Sequence, residues 1–205
     1  MILRTFIACV LVAGLASRGE AQIATADYIP DSSLLHTGSP IAGFASTPWG
    51  ASRSAVIRRL GAPRSVQRLA GTDAIVYHQT VLHYRATAVY LFRGDDGLVA
   101  GMYNFDLPMN ADCEAVYDAI ASAIASRYPN DSPLEEKTNA SSLSFCDGVL
   151  IGKAAAQTAW LDAQGNSASV SIDSEHPRRV FVLYSTRLAF DGVEAANAAE
   201  VRRQF

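Results

Sequence analysis

Gly50-Ala51-Ser52-Arg53-Ser54-Ala55-Val56-Ile57-Arg58-Arg59-Leu60-Gly61-Ala62-Pro63 reads as one short helix with a start, an apolar stripe and a stop. Ser52 is placed to cap the free N–H groups of the first turn. Val56, Ile57 and Leu60 follow at helical spacing and make a narrow apolar face. Gly61 suits the left-handed residue beyond a helix, and Pro63 blocks further winding. A helix this short is not stable alone in water and must lie on something. The segments that follow supply a sheet.

Before the helix, the first 21 residues read as an export signal, with Arg4 as a basic start, an apolar run from Phe6 to Ala16, and small residues at Gly19-Glu20-Ala21. That run is well short of the roughly 20 apolar residues that span a bilayer, and no other stretch qualifies, so the chain is not expected to cross a membrane by a helix. Residues 22–42 lack a sustained period and read as a loosely ordered leader. Residues 43–190 are expected to form a single domain, with 191–205 as an Ala-rich tail. Trp49 is expected to pack over the helix start.

Cleavage would take Arg4, Arg18 and Glu20 from 17 basic and 20 acidic residues, leaving 15 and 19 and a formal charge of −4. That weak acidity argues against nucleic acid, which demands clustered Lys and Arg. Of three cysteines, Cys9 falls within the signal, so Cys113 and Cys146 are left to form a single intramolecular pair in an oxidising compartment. A redox or metal role for this pair is weaker, since the spacing is wide and no His is near in sequence.

Beyond the helix, 73–85 is rich in β-branched and aromatic residues and suits one or two strands. Thr87 to Phe92 and Leu98 to Phe105 flank Arg93-Gly94-Asp95-Asp96-Gly97, and Asp-Gly between apolar runs signals a hairpin. Asp112 or Asn110 then caps a longer helix, on which Cys113, Tyr117, Ile120, Ile124 and Tyr128 recur on one face. Arg127 falls late in it, as the helix dipole favours. Cys113 points with that buried stripe, so its partner Cys146 is expected on a strand beneath, in Leu143-Ser144-Phe145-Cys146. Residues 129–142 read as a loop, 158–173 as a second hairpin, and 179–185 as a last strand. The expected fold class is α+β: two helices packed on antiparallel sheet in the order αβββ-αβββ, with a hint of a duplicated helix-plus-hairpin unit.

The pattern Gly50-x-Ser52-x-x-x-Val56-x-x-x-Leu60-Gly61-x-Pro63, followed by the hairpin ending at Phe105, resembles the BamE (SmpA/OmlA) envelope domains and the repeats of beta-lactamase inhibitory protein. The resemblance implies an α+β scaffold used for protein–protein contact. The lipid-anchoring Cys of BamE has no counterpart at the expected mature N-terminus. No binding residue carries over from the family.

His78 and His83 are five apart, on opposite sides of a continuous strand, and cannot share a metal unless a turn intervenes. No His-Glu-x-x-His, Cys-x-x-Cys, Gly-x-Ser-x-Gly or phosphate-cradling motif occurs. No cofactor, metal or catalytic residue is therefore assigned. The leading expectation is an exported, non-enzymatic module that binds another envelope or secreted protein. The alternatives are a small-molecule or lipid carrier with its cavity between sheet and helices, and an unrecognised hydrolase. The strand Thr87 to Phe92 is apolar on both faces, with Val89 and Leu91 on one and Tyr90 and Phe92 on the other, and helices can cover only one. Tyr90, Phe92, Tyr103 and Phe105 are the candidate interface residues on the uncovered side.

Overall fold

The computed structural model describes residues 39–69, 72–108, 110–129 and 132–189. The expected signal, most of the leader with His36, and the tail from 191 lie outside them. A two-stranded hairpin, β1 (Gly43–Phe44) and β2 (Thr47–Pro48), precedes α1 (Arg53–Leu60). Four strands follow: β3 (Ser65–Leu69), β4 (Thr72–Val81), β5 (Tyr84–Arg93) and β6 (Leu98–Asp106). Then come α2 (Cys113–Ala125), β7 (Leu134–Asn139), α3 (Phe145–Leu150), β8 (Ala154–Leu161), β9 (Ser167–Ile172) and β10 (Arg179–Ser185). Strands β3 to β10 form one antiparallel sheet in the order β3-β4-β5-β6-β10-β9-β8-β7.

The expected fold of two helices on a sheet, in the order αβββ-αβββ, is corrected by this architecture. The molecule is mostly an eight-stranded sheet with a separate two-stranded one, and its helices are short and subordinate. Two strands escape the sequence because they are edges. All six residues of β7 are exposed, so no buried face imposes the alternation that marks a strand. Charge along an edge is also what keeps it from pairing with other chains. The segment expected to carry Cys146 on a strand is instead the helix α3, capped by Ser144 accepting from the Asp147 N–H.

Helices α1, α2 and α3 lie on one face. The stripe on α1 is reduced to one fully buried side chain, Val56, which packs with Phe44, Ile75, Ala88, Tyr90, Phe92 and Leu98. Ser52 does cap this helix, accepting from Ala55 N–H at 3.2 Å. The α2 stripe of Cys113, Val116, Tyr117, Ile120 and Ile124 packs on Val170, Ile172 and Val182 of β9 and β10. Tyr117 adds a 2.7 Å hydrogen bond to Thr158 of β8. Trp49 packs against both clusters and donates its indole N–H to the Ile41 carbonyl. On the opposite face, Ala74, Leu91 and Ala100 form a small cluster with Ala189 packed against it.

Cys113 and Cys146 are joined as a disulfide, with Cα atoms 5.8 Å apart. It ties the start of α2 to α3. Among the described residues no helix is long and apolar enough to cross a membrane.

Candidate functional site

Because α1 is anchored over the β4–β6 half and α2 over β9 and β10, neither helix covers the seam where β6 pairs with β10. Part of that gap is filled by Phe44, thrust down from the β1–β2 hairpin onto Gly101. A Cβ at Gly101 would lie 2.1 Å from the Phe44 ring, so only glycine admits the plug there. Phe44 meets Tyr103, Tyr90 and Tyr184 at ring-centroid distances of 4.6, 4.9 and 5.8 Å. Such tilted and edge-on pairs add to plain area burial.

What Phe44 leaves unfilled is a groove of about 210 Å³. Its floor is Tyr103 and Phe105 of β6 with Val182 and Tyr184 of β10. One wall is Ile120, Ala123 and Ile124 of α2, with Arg127 just past the helix end. The other is Gly43 and Ala45 of the hairpin and Val81 and Leu82 of the β4–β5 turn. Both turns on that wall use residues other than glycine at positive φ: Ala45 at 49° and Ser46 at 61°, Leu82 at 50° and His83 at 68°. Asn-Gly is the usual solution for such turns. Its absence hides the β4–β5 turn from the sequence, where 73–85 shows only a run of strand formers. The first turn is braced by Arg59 of α1, which donates to the Ser46 carbonyl at 2.8 Å. The second is unbraced by any comparable contact among the described residues and leaves Leu82 44 % exposed at the groove's rim.

The phenols beneath the groove are pushed toward their neutral form. Burial raises Tyr103 to about 12, helped by the neighbouring Tyr90 phenol and opposed by Gln79, Arg127 and Arg59. Burial also raises Tyr184, with the nearby Tyr128 acting in the same direction and Arg127 against it. Away from the groove, Tyr117 is likewise lifted to about 12 by burial. A phenol whose folded pKa lies above its unfolded value near 10 stabilises the fold fully below that value and loses its contribution as pH climbs. Stability should therefore fall as pH rises from about 10 toward 12, where the unfolded phenols ionise while folded Tyr103 and Tyr117 stay protonated. Urea titrations at steps across that range would show it. A flat unfolding free energy there would mean that the phenols are not buried as described.

The four expected interface residues divide. Tyr90 and Phe92 lie in the core under α1, 1 % and 4 % exposed, on the helix-covered face and not the open one. Phe105 is buried as well, but it and the half-buried Tyr103 form part of the groove floor. Arg127 and Leu82 were not singled out by the sequence. Arg127 reads there only as a dipole partner, and Leu82 as one more apolar residue in a strand.

Other candidates are less promising. A cavity of about 330 Å³ at the start of α1 is lined by Gly50, Ser52, Arg53, Arg68, Asp73, Phe92, Gly94, Asp95 and Gly97. Both of its arginines are already engaged: Arg53 and Arg68 reach Asp73 at 3.1 and 3.8 Å. His83 stands in the β4–β5 turn itself, and His78 on β4 engages Thr87 at 3.3 Å across the strand pair. His176 rests edge-on against Phe181 with ring centroids 5.2 Å apart. Among the described residues no three His, Cys, Asp or Glu side chains converge as a metal site.

No family model, curated protein or solved structure matches the chain. The functional reading therefore rests on the groove and its surroundings.

Proposed function

We propose that this chain is an exported, non-enzymatic module of the cell envelope that binds another protein, seating an apolar side chain of the partner in the groove over the β6–β10 seam. The observation that carries the reading is an aromatic-floored recess, open to solvent between α2 and two tight turns, with Leu82 exposed at its rim. Pockets that anchor one large side chain dominate the energetics of many interfaces. The export signal read from residues 1–21 and the likeness of Gly50–Pro63 to BamE-type domains point the same way. A carrier is the second reading, because the recess does lie between sheet and helices. Its size counts against it, since small-molecule sites usually enclose about 300–1,000 Å³.

A photo-crosslinking residue placed at Leu82, with a control at the exposed Thr138 on the far edge strand, tests the reading in the native envelope. One discrete protein adduct at position 82 and none at 138 is expected. Equal labelling at both positions, a bound small molecule retained in native mass spectra, or substrate turnover by the purified protein would contradict it.

A further inference from the structure

Resting on that reading, we infer that the partner presents its C-terminus, so that the groove takes a terminal apolar residue while Arg127 holds that residue's free α-carboxylate. The charge pattern points there. Of the groove's lining residues Arg127 alone is charged, and every other is apolar or a phenol. It is exposed where α2 ends, and among the described residues no carboxylate lies within ion-pair distance of it. An anion bound there displaces no acid among the described residues. The guanidinium fork matches the planar geometry of a carboxylate. Tyr103 and Tyr184 are neutral at ordinary pH, as any phenol titrating near 10 or above is, so neither repels that anion.

Size selects among carboxylates. At about 30 Å³ per water, the recess holds the volume of roughly seven waters. That suits one large side chain next to its own terminal carboxylate. A long acyl chain would leave most of its length in solvent. A side-chain carboxylate in mid-chain has no apolar side chain on its own Cα to fill the recess, whereas a C-terminal residue carries its side chain and its carboxylate on one Cα.

The test is calorimetric titration of the mature, disulfide-intact protein with a short peptide ending in phenylalanine, as free acid and as carboxamide. The free acid is expected to bind about tenfold more tightly than the amide, as suits a charge-assisted hydrogen bond. Arg127→Gln should erase that difference by weakening the acid alone, and Arg127→Lys should keep part of it. The exposed position of Arg127 predicts an unchanged melting temperature for both variants, which separates recognition from folding. Equal binding of acid and amide to the unaltered protein would overturn the carboxylate inference while leaving the groove reading intact. Binding of decanoate without binding of either peptide would overturn both. Failure of all three ligands would overturn the inference about the C-terminus, and the Leu82 crosslink would then decide the wider reading.

Discussion

Replacing Asp162 with alanine should cost the fold about 3–5 kcal/mol, the largest effect expected of any single polar substitution here. Asp162 is fully buried at the end of β8. Its Oδ1 accepts from the backbone N–H of Gln164 at 2.9 Å and of Asn166 at 2.8 Å, which shapes the β8–β9 turn. Its Oδ2 accepts from the Asn166 side-chain amide at 2.9 Å and from the Ile41 N–H at 2.9 Å. The last bond joins residues 121 apart in sequence. Alanine would strand several donors at once, and each buried donor without a partner costs about 1–3 kcal/mol. Asparagine is nearly isosteric but turns one acceptor into a donor facing other donors, so it should recover only part of the loss. Urea unfolding of both variants checks this. A change under about 1 kcal/mol for alanine would show that the turn and the Ile41 segment hold without the carboxylate. The consequence reaches the groove, since Ile41 leads directly into the hairpin that carries Phe44.

Removing the disulfide by Cys113→Ser with Cys146→Ser should lower stability by about 3–4 kcal/mol, the chain-entropy value for cysteines 33 apart. For a chain of this size that corresponds to a melting temperature lower by roughly 6–16 °C. The bond sits where packing alone is thin. Helix α3 has only six residues, and three of its positions are buried. Helix α2 is better held, by its apolar stripe and the Tyr117–Thr158 hydrogen bond. The reduced protein should therefore loosen first around α3 and β7, with α2 and the groove the last to go. Hydrogen exchange on the oxidised and double-serine forms would resolve that order. Equal melting temperatures for the two would mean that the crosslink constrains nothing that the core does not already hold.

Where apolar residues met a buried surface, the sequence was informative. The α2 stripe and the β8–β9 hairpin carry periods imposed by one buried face, and the hairpin around Gly94–Asp96 shows itself by its Asp-Gly turn between two apolar runs. The Cys113–Cys146 pairing followed from their number and from the oxidising compartment expected of an export signal, although Cys146 proved to be on a helix. The failures have a common physical origin. Strands β3 and β7 are edges, the Leu82–His83 turn uses no turn residue, and β1–β2 is too short to show a period. Tyr90 and Phe92 were placed on the wrong side because both faces of β5 are apolar, and alternation cannot say which one the helices choose. The groove itself could not have been read from spacing. It arises from where two helices stop, and its Arg127 and Leu82 come together from segments more than forty residues apart.

The most direct measurement is the Leu82 crosslink repeated with Ala123→Trp, which fills the groove from the α2 wall without touching the rim. Ala123 is half-buried and faces the recess, so the indole should occupy the space meant for the partner and leave the core beneath undisturbed. The account predicts that the adduct at position 82 disappears while the melting temperature stays within a few degrees of the unaltered protein. An adduct that persists at full yield in the plugged protein would contradict it.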